Sequence, residues 1–101
     1  MVKEVDSKTD IPMDGKVVLD FFATWCGPCK RIAPFFEELS TKYETITFLK
    51  VDVDEAGELV DMFGISAMPT FVFLDKGVVV GRVEGADLRA IGNHLESLSG
   101  L

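Results

Sequence analysis

Apolar and polar positions follow two rhythms along this chain, and the changes between them mark its elements. Lys16 to Ala23 is a mostly apolar run of β-branched and aromatic residues, which predicts a buried strand. Ile32, Phe35, Phe36, Leu39 and Tyr43 then recur at helical spacing and predict a long helix with one apolar face. Pro34 falls inside that pattern and should kink the helix, because it has no N–H to give to the carbonyl four residues back. Ile46 to Val53 reads as a second strand, and Ala56 to Phe63 as a short helix ended by Gly64. Thr70 to Leu74 and Val78 to Val83 flank Asp75-Lys76-Gly77, a hairpin with glycine at a turn position. A last helix starts at about Asp87, a suitable N-cap, with Leu88, Ile91, Leu95 and Leu98 turned inward. After an unassigned N-terminal segment the order is β-α-β-α-β-β-α. Strands joined through a helix should be parallel and the hairpin antiparallel, so the expected α/β architecture is a mixed sheet with helices on both faces.

Composition narrows the classes. A chain of 101 residues is expected to be one domain, 1–101, and 48% hydrophobic with 27% charged residues supports a sizeable core. A net charge of −7 disfavours nucleic acid and anionic membranes as partners. No apolar run approaches the roughly 18 residues of a membrane span. Met1 to Asp10 is acidic and lacks the apolar stretch of a signal peptide, which points to the cytosol.

That compartment changes how the cysteines are read. Both belong to Trp25-Cys26-Gly27-Pro28-Cys29. On a helix, residues three apart have α-carbons roughly 5–6 Å from each other, a separation a disulfide tolerates. So short a loop removes little unfolded-state entropy, so the pair is expected to be a reactive dithiol rather than a staple. Metal binding is not expected, since two cysteines and the single His94 fall short of four zinc ligands. His94, beside Asn93 and Glu96, is expected at the surface. The acidic stretch from Asp52 to Glu58 lacks calcium-loop spacing and should be a solvated turn and helix start.

Three longer strings carry a resemblance: Val17-Val18-Leu19-Asp20-Phe21-Phe22-Ala23-Thr24-Trp25-Cys26-Gly27-Pro28-Cys29-Lys30, then Met68-Pro69-Thr70-Phe71, then Gly85-Ala86. With them the chain resembles the thioredoxin family from about Val2 to Leu98, leaning towards its eukaryotic cytosolic branch. The resemblance implies the thioredoxin fold and a thiol–disulfide oxidoreductase that reduces disulfides in other proteins. It implies no bound cofactor, with electrons coming from NADPH through thioredoxin reductase. Peroxiredoxins, methionine sulfoxide reductases and ribonucleotide reductase are the implied acceptors, and the protein should be mainly monomeric. Two departures stand out. Between Lys8 and Lys16 the chain is several residues short of the family's first helix, and Pro12 and Gly15 argue for a loop; the stretch after Gly85 is also abbreviated.

Each sulfur then has an expected task. Cys26 should stand at a helix N-terminus, where free amides and the macrodipole favour a thiolate and make it the attacking group. Cys29, one turn inward, should resolve the mixed disulfide. Pro28 suits the first helical turn and stiffens the loop. Asp20 sits mid-strand, on the opposite face from Leu19 and Phe21, so burial should raise its pKa. By resemblance it lies beneath the dithiol as proton acceptor for Cys29, with Lys50 as its charge partner. The family also carries a cis peptide at Met68-Pro69, which would leave the Met68 backbone free to pair with an extended substrate. Trp25, Gly27, Pro28, Val53, Ala67, Met68, Pro69, Gly85 and Ala86 are the implied docking surface. Glu84, next to Gly85, is expected to be an exposed charge. A redox-switched binding module and a secretory isomerase-type domain are the competing readings.

Overall fold

The computed structural model describes residues 1–100. Its elements are β1 (Val2–Glu4), a 3-10 turn (Lys8–Asp10), β2 (Lys16–Phe22), α1 (Gly27–Lys42), β3 (Ile46–Asp52), α2 (Gly57–Phe63), β4 (Thr70–Asp75), β5 (Val78–Glu84) and α3 (Leu88–Ser99). The strands form one five-stranded sheet in the order β1-β3-β2-β4-β5. β3 runs parallel to both β1 and β2, while β4 is antiparallel to β2 and β5. The expected mixed sheet is therefore present, with β2 at its centre.

Alternation along β2 divides the core. Val18 faces α1 and α3, in a cluster with Ile32, Phe36, Phe71, Ile91 and Leu95. Val17, Leu19 and Phe21 face the other way, towards Leu59 of α2 and Ile11 of the connection after the 3-10 turn. Helices thus cover both faces, and Asp20 shares the α1 face with Val18 by the two-residue period of a strand.

Several expectations need correction. The N-terminal segment contributes a strand: Val2, Lys3 and Glu4 pair in register with Phe48, Leu49 and Lys50. Nothing in its own pattern announced this, because the template is the neighbouring β3. Between Lys8 and Lys16 the expected loop stands, with a single 3-10 turn at Lys8–Asp10. α1 is the expected long helix, with Pro34 inside it. Phe35 and Leu88, both expected inward, are 49% and 39% exposed. They line the same open hollow between α1 and α3, together with Leu39. The buried stripe of α1 turns instead through Ile32, Phe36 and Ser40, and Ser40 Oγ accepts a hydrogen bond of 2.8 Å from the N-terminal amine.

The hairpin turn follows its sequence closely. Lys76 and Gly77 both have positive φ, 52° and 79°, the left-handed pair that matches strand twist in a two-residue turn. Glycine suits the second of these positions because it carries no β-carbon penalty at positive φ. His94 also departs from expectation. It is half-buried and stacks on Phe73 with ring centroids 4.9 Å apart. A β-carbon at Gly81 would come within 2.5 Å of its Nδ1, so the glycine in β5 is the space that admits the imidazole.

Candidate active site

The strand-to-helix junction after β2 positions the two cysteines. Ala23 accepts from the Cys26 amide at 3.2 Å, and Cys26 becomes the N-cap of α1 in extended conformation, with Gly27 and Pro28 opening the helix. Cys26 and Cys29 form a disulfide with α-carbons 5.3 Å apart, as the spacing required. Cys26 Sγ accepts a hydrogen bond of 3.2 Å from the Cys29 amide. An N-cap acceptor of this kind gains most when it is charged, because the amides of the first helical turn converge on it.

Exposure does not separate the sulfurs, since Cys26 and Cys29 are 6% and 4% exposed. Their surroundings do. Cys29 lines an open cleft of about 310 Å³ with Asp20, Phe22, Lys30 and Lys50. Asp20 is 5% exposed, and its Oδ1 has no hydrogen-bond partner. Burial pushes its pKa up from 3.8 to about 7, and the positive charge of Lys50 only partly opposes this. Lys50 reaches that position because β2 and β3 pair Asp20 with Lys50 directly. Its ammonium lies 5.6 Å from the Phe22 ring centre, so an aromatic face helps hold the cation beside the cleft.

The expected docking residues gather around the same end. Val53 and Met68 pack on the cluster of Ala23, Cys26 and Cys29. Met68-Pro69 is cis, and the Gly85 amide donates to the Pro69 carbonyl at 2.8 Å, which ties the Gly85 segment to the cis-proline loop. Trp25 is 65% exposed, whereas Gly27, Pro28, Ala67 and Ala86 are also open to solvent. Glu84 is exposed as expected and pairs with Arg82 at 3.2 Å.

Two residues of this end were missed in the sequence. The stretch from Asp52 is not simply solvated: Asp52 is buried, and its Oδ1 accepts the Asp54 amide at 3.0 Å. That turn presents the Asp54 carboxylate to Trp25, whose indole Nε1 donates to it at 2.9 Å. The available signal was the Asp-Val-Asp spacing, which suits a side chain capping the amide two residues on. Among the described residues, no group of three or more His, Cys, Asp and Glu side chains stands ready to hold a metal ion. Among them, too, no helix is long and apolar enough to cross a membrane.

A dithiol at a helix N-terminus, on a mixed sheet with helices on both faces, with a buried carboxylate behind its second sulfur, defines the class: a thiol–disulfide oxidoreductase. Comparison with known proteins narrows it. The thioredoxin family model matches residues 2–97. Human thioredoxin is 48% identical over 93 residues, which span 86% of this chain and 89% of that one. Thioredoxin 1 of Plasmodium falciparum is 45% identical over 100 residues, 95% of this chain and 96% of the relative. The crystal structure of Malassezia sympodialis thioredoxin superposes with a TM-score of 0.90 at 40% identity, covering 98% of this chain and 91% of that one. The chain belongs to the thioredoxin family.

Proposed function

We propose that the protein is a disulfide reductase of other proteins, working as a single thioredoxin domain, in which Cys26 attacks and Cys29 resolves. The Cys26 thiolate attacks one sulfur of a client disulfide; a mixed disulfide forms and the client's other thiolate leaves to take a proton from solvent. The Asp20 carboxylate then accepts the Cys29 proton, directly or through one water, and the Cys29 thiolate attacks Cys26 Sγ. That step releases the second client thiolate and closes Cys26–Cys29. Two electrons have passed from the chain to the client.

The observation that carries this reading is the cleft itself, where Cys29, the unpartnered Asp20 carboxylate and Lys50 meet. A pKa of about 7 suits a proton acceptor working near neutrality. Lys50 keeps enough of the carboxylate ionised to accept a proton. Trp25, Gly27, Pro28, Val53, Ala67, Met68, Pro69, Gly85 and Ala86 form the face on which an extended client segment lies. Family membership supports the rest: recharging by NADPH through thioredoxin reductase, no bound cofactor, a monomer in the cytosol, and peroxiredoxins, methionine sulfoxide reductases and ribonucleotide reductase among the clients.

A trapping experiment tests the assignment. In an insulin-reduction assay Cys26→Ser loses all turnover, whereas Cys29→Ser accumulates mixed disulfides on Cys26 that mass spectrometry identifies. Stable adducts on Cys29 in the Cys26→Ser variant would reverse the two roles.

A further inference from the structure

The start of α1 carries its charge in an unfavourable place. A helix N-terminus attracts anions and repels cations, yet the first turn of α1 holds no acidic residue. Arg31 follows just behind it, exposed, and its guanidinium folds back over the turn: a β-carbon at Gly27 would lie 3.3 Å from Arg31 Nη1. Among the described residues the one ion pair is Arg82–Glu84, so Arg31 has no carboxylate of its own. The acidic groups of the docking face are, by contrast, already engaged. Asp54 accepts the Trp25 indole at 2.9 Å, and Glu84 holds Arg82 at 3.2 Å.

The unpaired guanidinium lies beside Gly27, the residue after Cys26, whose sulfur joins the client in the mixed disulfide proposed above. The long-range field of a chain with net charge −7 disfavours acidic clients. Arg31 reverses that preference only within about 8–10 Å, the screening length at physiological salt. The selected group is therefore close to the reacting sulfur, and a planar guanidinium fork suits a carboxylate.

We propose that Arg31 is a specificity-determining residue: its guanidinium, lying beside Gly27, receives a carboxylate next in sequence to the client cysteine. The proposal rests on the reductase reading above and names the client class for that same site.

Three disulfide-bonded peptides that differ only in the residue beside the cysteine, Asp, Asn or Lys, provide the test. At low salt the wild type reduces the Asp peptide with kcat/KM roughly two- to fivefold above the Lys peptide, the scale of one exposed ion pair. High salt shrinks the ratio. Arg31→Gln brings it towards that of the salt-screened wild type, and Arg31→Lys restores part of it. The affinities of the oxidised protein for the same peptides with serine in place of cysteine follow the same order, without any chemistry. An Asp-to-Lys ratio that is unchanged in Arg31→Gln, in both rates and affinities, overturns the proposal. Failure of the wild type to reduce even the Asn peptide counts against the reductase reading alone, because the serine peptides report on Arg31 independently.

Discussion

Asp20 and Asp52 lie on adjacent parallel strands near the same end of the sheet, and both are buried, at 5% and 9% exposure. They end up as different chemical objects. Asp52 closes β3, where its Oδ1 accepts the Asp54 amide and its carbonyl accepts the amides of Glu55 and Ala56. It organises a turn. Asp20 lies within β2, with Oδ1 unpartnered and its pKa raised to about 7 by burial. Burial alone does not make a carboxylate reactive; burial without a hydrogen-bond donor does, because the charged form then loses its water and gains nothing in return.

The largest effect should come from removing the reactive member of the pair. The folded protein holds the Asp20 proton more tightly than the unfolded chain, whose value is 3.8. The stabilising contribution is therefore fully present below pH 3.8 and lost as pH rises through about 7. Asp20→Asn should be more stable than wild type at pH 8, by roughly 2–4 kcal/mol in urea unfolding, with the gain fading towards pH 4. The same variant should resolve mixed disulfides more slowly near neutrality, by about a hundredfold if proton acceptance is its main task. Equal stability of variant and wild type at pH 8 would put Asp20 in the same category as Asp52.

Asp52→Ala should behave in the opposite way. Loss of the acceptor for the Asp54 amide costs about 1 kcal/mol at pH 7. It also loosens the turn that presents Asp54 to Trp25, which Trp25 fluorescence should register as greater quenching by a soluble quencher. Lys50→Met gives the smallest effect and sharpens the comparison further. Without the ammonium the Asp20 midpoint should move up from about 7, and an NMR titration of Asp20 reads the shift. A downward shift would mean that Lys50 acts through packing on Phe22 rather than through its charge.

Much of this was legible beforehand, for local reasons. The apolar run of β2, the helical spacing after the cysteines, Asp87 as N-cap of α3 and the Lys76-Gly77 turn are statements a few neighbouring residues make by themselves. Apart from Asp52, whose capped amide is only two residues away, the misreadings required a partner far along the chain. β1 exists because β3 offers it an edge. Phe35 and Leu88 are half-exposed because α1 and α3 leave a hollow between them. His94 is half-buried because Gly81, on another element, has no side chain.

At the redox end, sequence alone determined the dithiol, since a CxxC at the mouth of a helix brings two sulfurs within bonding reach by local geometry. It also marked Asp20 as costly, because an ionised group inside an apolar strand is costly in any fold. Tertiary structure decided what surrounds them. Strand register sets Lys50 beside Asp20, the Asp52 turn locks Trp25 through Asp54, and the fold back of Arg31 leaves a free cation over Gly27. Electrostatic and hydrogen-bond partners act over a few ångströms in space and are distributed freely along the chain, so only the folded molecule brings them together.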